Sequence, residues 1–256
     1  MPEDTPNNTP LKRSTEERGH AKNVETIRKM HGYGQSWGAS FNSTNPILKI
    51  NFIAQRITDA ETVRDGLIEV RAPYRVAASA AEDAFDELSP LVTRFERGFK
   101  ASGAADSAVE DLKTYTRKVK GASKPKNSAA TLEVPEKSHS TSQMSRTNRI
   151  ENLDSAIAIA EEYGFNPNEA DLKPTAMQTY SDGLKAKTEA VTQTFIPVDN
   201  KLDERDEIFY LAEDSLYEIW KAFKDYTISA YGTDSPQYEQ IRGLEFEPAP
   251  RRKNKG

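Results

Sequence analysis

A chain of 256 residues is long enough to bury a core in one or two domains, and 29% of its residues are charged. The absence of cysteine excludes disulfides, thiol nucleophiles and thiolate metal sites, and no apolar run is long enough to span a membrane. The net charge of −5 is uneven: residues 117–149 carry +6, residues 247–256 carry +3 and residues 1–22 balance, so the remainder carries −14.

Matching residues in two stretches of the chain predict an internal duplication. The run 81–88 (AEDAFDEL) matches 212–219 (AEDSLYEI) at an offset of 131 residues. Earlier matches share an offset of 124 residues: Phe41, Leu48 and Pro73 correspond to Phe165, Leu172 and Pro197. The second copy therefore carries seven extra residues after its proline. Because seven residues make one heptad, we expect the insertion to leave a helical seam in phase.

Residues 1–20 are predicted to form a disordered tail, and the first helical copy is predicted over 21–119. It opens with a helix over Ala21–Met30, followed by a glycine-rich stretch at 32–38 (GYGQSWG). This stretch lacks the preceding strand and the lysine of a phosphate-binding loop. We interpret it as a flexible loop in which Trp37 is a contact residue, or alternatively as a segment that packs Trp37 over the helix ends.

Two long helices are predicted to follow in the first copy. Asn45, which precedes a proline, is a favourable N-cap. Apolar residues then recur every three or four positions on both sides of Pro73, where we expect one helix to end and the next to begin. Pro90 predicts a kink or a break in the second helix, and Gly103 predicts its end. A short helix over Ser107–Lys118 closes the copy.

Residues 120–147 are predicted to be a flexible basic linker, and residues 247–256 a basic tail. Their cations are candidate contacts for acidic protein surfaces or for nucleic-acid phosphates. These candidate residues are Lys120, Lys124, Lys126, Arg251, Arg252 and Lys253.

The second copy is predicted over 148–246. An opening helix over Asn148–Tyr163 precedes a long helix that we expect to end at Pro197, and a second long helix covers Leu202–Tyr231. Gly232 should end it, and a short helix follows over Ser235–Arg242. The expected fold is all-α: two helical hairpins form one four-helix bundle with short accessory helices. The alternative is one small domain for each copy.

Candidates for catalysis are few. Glu17 and His20 have the Glu-x-x-His spacing of di-iron bundles, but the second motif is missing, so we interpret His20 as a solvated tail residue. The acidic pairs 82–83 and 213–214 recur in both copies and are interpreted as helix flanks rather than acid–base pairs. We expect no metal, no cofactor and no enzymatic activity.

Three runs carry a family resemblance: 231–246 (YGTDSPQYEQIRGLEF), 163–169 (YGFNPNE) and 140–145 (STSQMS). Together they resemble an uncharacterised family of duplicated helical proteins from Bacteroidetes-type bacteria, whose members end in Gly-x-x-Ser-Pro-Gln-x and Gly-Leu-x-Phe phrases. The likeness lies mainly in the second copy. It implies a helical fold and a bacterial origin, and it implies no activity.

The sequence predicts a non-enzymatic structural or protein-interaction protein that acts through its helical surface, by self-association or as an adaptor. The alternative is a ligand- or nucleic-acid-binding module that uses the basic linker and tail. An enzyme is the third hypothesis and rests on the acidic pairs alone. Because the N-terminus lacks a hydrophobic signal core, we expect a cytoplasmic protein without a membrane partner.

Overall fold

The computed structural model describes residues 18–121 and 145–247, and within these ranges it contains helices and no strand. This confirms the all-α class. No helix in the same ranges is long and apolar enough to cross a membrane. The helices are α1 (Arg18–Ser36), α2 (Ile50–Ala101), α3 (Asp106–Lys120), α4 (Arg146–Glu162), α5 (Pro174–Asp206), α6 (Leu216–Tyr231) and α7 (Pro236–Ile241).

The prediction that Pro73 and Pro197 separate consecutive helices is wrong. Helix α2 runs unbroken for 52 residues through both Pro73 and Pro90, and α5 runs through Pro197. A proline inside a helix removes one backbone donor and crowds the carbonyl one turn earlier. All three prolines are exposed, so that carbonyl can bond to water instead. The hairpins predicted from breaks at these prolines therefore do not form.

The helical stretch of the second copy is interrupted instead at 207–215, around the start of the matched run 212–219. Helix α5 ends at Asp206 and continues into a π-helical segment, Glu207–Leu211, whose last turn is closed by a bond from Ala212 N to Glu207 O (3.1 Å). Helix α6 starts only at Leu216, where Ser215 Oγ accepts from Glu218 N. The predicted continuous helix over Leu202–Tyr231 is therefore wrong, because a π turn at Glu207–Leu211 and a turn at 212–215 separate α5 from α6.

Other predicted helix ends are confirmed. Asn45 Oδ1 accepts from Ile47 N (3.2 Å) and caps the 3-10 turn that leads into α2. Gly103 (φ 84°) and Gly232 (φ 85°) follow α2 and α6 in the left-handed region, which costs glycine no steric strain.

The ends of the predicted tail and linker are partly helical. Helix α1 begins at Arg18 and extends beyond the predicted Met30 to Ser36. Lys120 belongs to α3, and residues 146–147 belong to α4. Gly121, Ser145 and Glu247 are also described, and the rest of the predicted tails and linker lies outside the described residues.

The chain divides into two compact units. Unit 1 consists of residues 1–70 and 198–256, and unit 2 of residues 71–197. One boundary falls inside α2 and the other inside α5, so each unit combines residues from both predicted copies. The two alternatives from the sequence were one bundle shared by both copies and one domain for each copy. Neither unit coincides with a single predicted copy.

Each unit has its own apolar core. Helices α1, α2 and α6 and the π-helical segment build the core of unit 1, whose fully buried members include Ile27, Met30, Ile53, Phe209, Leu216, Ile219 and Phe223. Helices α2, α3, α4 and α5 build the core of unit 2, whose fully buried members include Leu88, Phe95, Phe99, Leu112, Leu153 and Met177.

Arg149 connects three helices of unit 2. From α4, its Nε donates to Val119 O at the end of α3 (3.0 Å), and its guanidinium lies 5.1 Å from the ring centroid of Phe85 in α2. Its burial lowers the pKa of Arg149 from the ordinary value. The bond satisfies a carbonyl that α3 leaves without a helical partner.

Candidate functional site

An extended segment after α7 crosses the surface formed by α1 and α6 in unit 1. We call residues 243–247 the strap and this surface the strap groove. From Leu244 onward the strap has no regular secondary structure. Side chains of both helices, rather than another strand, bond to its main chain.

Helix α1 contributes two side chains to these bonds. Asn23 Nδ2 donates to Glu247 O (3.0 Å) while Asn23 Oδ1 accepts from Glu247 N (2.7 Å), so one amide pairs both polar groups of one residue. Thr26 Oγ1 donates to Glu245 O (2.9 Å). Asn23 is 0% exposed, so its amide depends on these partners.

Helix α6 contributes two further donors. Trp220 Nε1 donates to Leu244 O (2.9 Å), and Lys224 Nζ donates to Arg242 O (3.1 Å). The ammonium of Lys224 also lies 4.7 Å from the centroid of the Trp220 ring. Burial lowers the pKa of Lys224. Because the acceptors of these bonds are carbonyl oxygens, α6 recognises the main chain of this segment and not its side chains.

Phe246 is the side-chain anchor of the strap. It is 7% exposed and lies among three aromatic rings, with centroid distances of 6.0 Å to Tyr210, 5.9 Å to Tyr217 and 6.2 Å to Trp220. Such edge and tilted contacts stabilise aromatic pairs beyond the burial of their area. The groove therefore combines a main-chain clamp with one aromatic pocket.

The π-helical segment forms the buried end of this groove. Burial raises the pKa of Tyr210 to about 12. His20 is 4% exposed and packs edge-on against Phe209 (5.1 Å) and Tyr210 (5.8 Å). The interpretation of His20 as a solvated tail residue is therefore wrong, because α1 begins earlier than predicted and carries His20 into the core.

The strap groove is not among the sites predicted from the sequence, although the sequence contains a signal for it. The seven extra residues of the second copy fall between Pro197 and Ala212, where the π-helical segment places Phe209 and Tyr210. Short π turns within helices often lie at functional sites. Because a heptad preserves helical phase, the insertion predicts a helical seam in phase and does not by itself indicate a site.

The predicted glycine-rich loop is not a loop. Its residues 32–36 belong to α1, and Trp37 is half-buried. Trp37 Nε1 donates to Gln240 Oε1 (3.0 Å). The ring lies 5.5 to 6.4 Å, centroid to centroid, from Tyr33, Phe41, Phe223 and Tyr231. This packing agrees with the second interpretation of Trp37, and its role as a contact residue stays a prediction.

Lys120 is engaged within unit 2. Its Nζ donates to Glu96 Oε2 (2.8 Å), and Thr116 Oγ1 donates to the same oxygen (2.7 Å). Burial by itself would raise the pKa of Glu96, but these donors outweigh it and the pKa is lowered. The contact role of Lys120 stays a prediction. Five predicted contacts lie outside the described residues: Lys124, Lys126, Arg251, Arg252 and Lys253.

The repeated acidic pairs fall in different units. Glu82 and Asp83 are exposed on α2, whereas Asp214, in the turn before α6, forms an ion pair with Arg56. Within the two described ranges, no group of three or more His, Asp or Glu side chains could hold a metal ion.

Two cavities lie on helix surfaces in the described part of unit 2. One of about 430 Å³ lies between α4 and α5 beside the ion pair of Asp154 and Lys185 (2.9 Å). The other, of about 560 Å³, lies between α2 and the segment 165–172, and Arg94 and Arg97 are part of its lining. Both are large enough for a small ligand.

Unit 2 also has exposed apolar side chains on two helical stretches that contain no buried residue. No residue of α2 over 71–80, and none of α5 over 185–197, is buried. Val76 is 71% exposed, Ile196 47% and Phe195 42%, and the Phe195 ring lies 5.4 Å from the ring of Tyr74. We call these four residues the exposed apolar face.

Comparisons of the chain with protein-family models, with curated proteins and with solved structures find no match.

Proposed function

We propose that the chain is a non-enzymatic protein-interaction protein that associates with a second copy of itself through the exposed apolar face. The observation that carries this proposal is the exposure of Val76, Phe195 and Ile196 within two stretches, 71–80 of α2 and 185–197 of α5, in which no residue is buried. Exposed apolar side chains that meet on a surface, as the rings of Phe195 and Tyr74 do, are typical of interaction sites, since their burial removes apolar area from water.

A second copy is the occupant that fits this face best. Tyr74 and Val76 of this face lie close to Pro73, and Phe195 and Ile196 lie next to Pro197. These two prolines occupy corresponding positions in the predicted copies. A surface built from two related segments can meet its own copy across a twofold axis, the commonest symmetry of soluble oligomers. An adaptor that binds another protein through the same face is the alternative.

We further propose that the two halves of the chain are duplicated. Phe41 of the first half lies edge-on to Tyr226 of the second, with a centroid distance of 5.0 Å. The corresponding Phe165 of the second half lies edge-on to Phe95 of the first, at 5.6 Å. These reciprocal contacts support a duplication in which each half completes the core of the other.

The remaining expectations also stand as proposals. The four helices that supply the core of unit 2 support a four-helix bundle within that unit. Membership of the uncharacterised duplicated helical family from Bacteroidetes-type bacteria and a cytoplasmic location rest on the sequence alone. The nucleic-acid alternative rests on the basic linker and tail.

Light scattering after size exclusion, at low and at high salt with the 260/280 nm ratio recorded, tests the self-association. We expect an oligomer that persists in high salt, because apolar burial is not screened. The double variant Val76→Glu, Ile196→Glu should be a monomer at the concentration at which the wild type is an oligomer. Leu211→Glu, a matched control at an exposed leucine of unit 1, should remain an oligomer.

Three results would count against the apolar face. A wild-type monomer at both salt concentrations would overturn self-association. An oligomer that dissociates in high salt and survives the double variant would assign association to the basic arms. A high 260/280 nm ratio that falls with salt would favour the nucleic-acid alternative.

A further inference from the structure

We propose that the strap groove is a peptide-binding site whose ligand in trans is the strap of a second copy. This inference does not rest on the proposed function, because the groove belongs to unit 1 and the exposed apolar face to unit 2. The strap that the structure shows in the groove is then the same ligand bound in cis.

The contacts of the groove are those of a receptor for an extended peptide. Four carbonyl oxygens, those of Arg242, Leu244, Glu245 and Glu247, accept hydrogen bonds from side chains of α1 and α6. The amide of Glu247 donates to the same helical surface. In peptide receptors of this kind, main-chain bonds supply affinity and a side-chain pocket supplies specificity. Here the pocket takes Phe246.

An empty groove is unfavourable, so one strap or another should occupy it. Without the strap, the hydroxyl of Thr26 and Trp220 Nε1 lose these partners. The buried amide of Asn23 loses both of its bonds to Glu247 and keeps the longer bond from Nδ2 to Tyr210 Oη (3.4 Å). A strap from a second copy restores every one of these bonds. Exchange between copies therefore changes few contacts, and protein concentration decides between the two arrangements.

Two glycines allow the strap to leave its own groove. Gly243 joins the strap to α7, and a side chain built there would meet no atom within 4 Å. Gly232, with φ of 85°, joins α7 to α6. Short joints of this type are the hinges at which proteins exchange elements between copies. The strap can move alone at Gly243, or together with α7 at Gly232.

A labelled peptide with the sequence of residues 242–247 (RGLEFE) tests the groove directly. Fluorescence anisotropy should show binding to the full-length Phe246→Ala variant that is at least about tenfold tighter than to wild type, whose own strap competes at high effective concentration. The peptide with alanine in place of its phenylalanine should not bind. Equal binding of both peptides, or binding to neither protein, would overturn the proposal.

Exchange between intact chains is tested by crosslinking, because the chain has no cysteine of its own. Lys22 Nζ lies 3.1 Å from Glu247 Oε1 across the groove. We expect a Lys22→Cys chain, mixed with a Glu247→Cys chain and oxidised, to give a covalent dimer whose yield rises with concentration and falls with excess peptide. Lys22→Cys mixed with Glu239→Cys, an exposed residue of α7, is the control.

Both chains of the crosslinking experiment carry Val76→Glu and Ile196→Glu. Any dimer is then independent of the exposed apolar face, so the failure of one proposal does not imply failure of the other. A yield of mixed dimer no greater than that of the control at every concentration would show that the strap stays in cis and would overturn the exchange.

Discussion

The side-chain amide of Asn23 pairs with both main-chain polar groups of Glu247, a residue 224 positions later in the chain. The bonds of 2.7 and 3.0 Å reproduce what a neighbouring β-strand would offer. Together with the bond from Thr26 Oγ1 to Glu245 O, this pairing fixes the strap to α1. The strap is part of the folded unit 1 although it forms no helix.

We predict that Asn23→Ala lowers the free energy of unfolding of unit 1 by about 1–3 kcal/mol, because it leaves both polar groups of Glu247 without these partners. Urea unfolding followed by tryptophan fluorescence measures this effect, since Trp37 and Trp220 both lie in unit 1. Asn152→Ala is the matched control: its side chain makes one bond, to Asn148 O within α4. Equal losses in the two variants would contradict a special role for Asn23.

The second prediction concerns the prolines inside the long helices. Pro73→Ala should raise the melting temperature, because it restores a helical donor and removes a clash whose cost inside a helix is about 3 kcal/mol. Differential scanning calorimetry measures the change. Pro236→Ala, at the first position of α7 where proline costs little, is the control. A lower melting temperature for Pro73→Ala would show that the proline is needed for packing.

The third prediction concerns acid stability. Because the pKa of Glu96 is lowered in the folded chain, its ionised form stabilises the fold above the ordinary value of 4.5, and this contribution is lost as the pH falls through the folded pKa. Glu96→Gln should be less stable than wild type at neutral pH, and its melting temperature should decline less steeply between about pH 5 and pH 3.

Circular dichroism melts across this pH range measure the Glu96 effect. Glu82→Gln changes an exposed glutamate of the same helix and serves as the control, with a profile that should follow wild type. Parallel profiles for Glu96→Gln and wild type would contradict the coupling of Glu96 to Lys120 and Thr116.

The fourth prediction compares the contributions to stability of two arginines of α4, Arg146 and Arg149, which both lie over the ring of Phe85. Arg149→Lys should lower the free energy of unfolding of unit 2 by about 1–3 kcal/mol, since lysine cannot reproduce the fork of bonds to Val119 O and Phe85 O. Arg146, 5.7 Å from the Phe85 centroid, is the matched control, and Arg146→Lys should cost less than about 0.5 kcal/mol. Urea unfolding followed by circular dichroism compares the two, and a larger loss for Arg146→Lys would refute the assignment.

The candidate site could be predicted from the sequence only in part. The phrase Gly243–Phe246 carried the family resemblance, but nothing near it in sequence indicates that its main chain bonds to Asn23 and Trp220. The sequence predicts the packing of Trp37 only as one of two alternatives, because two of the four aromatic rings around it, those of Phe223 and Tyr231, come from α6, far away in the chain. Helix periodicity reports which face of a helix is buried and not which partner covers it.

The sequence by itself determined the helices and several of their ends. The cap at Asn45 and the glycine ends at Gly103 and Gly232 depend on residues within about one turn, so local chemistry decides them. Tertiary structure decided the features that local sequence signals disfavour or do not specify. Helix α2 continues through Pro73 because it contributes to the cores of both units, and packing over its length exceeds one local penalty. The pairing of Asn23 with Glu247 likewise arises only when folding brings α1 next to the segment that follows α7.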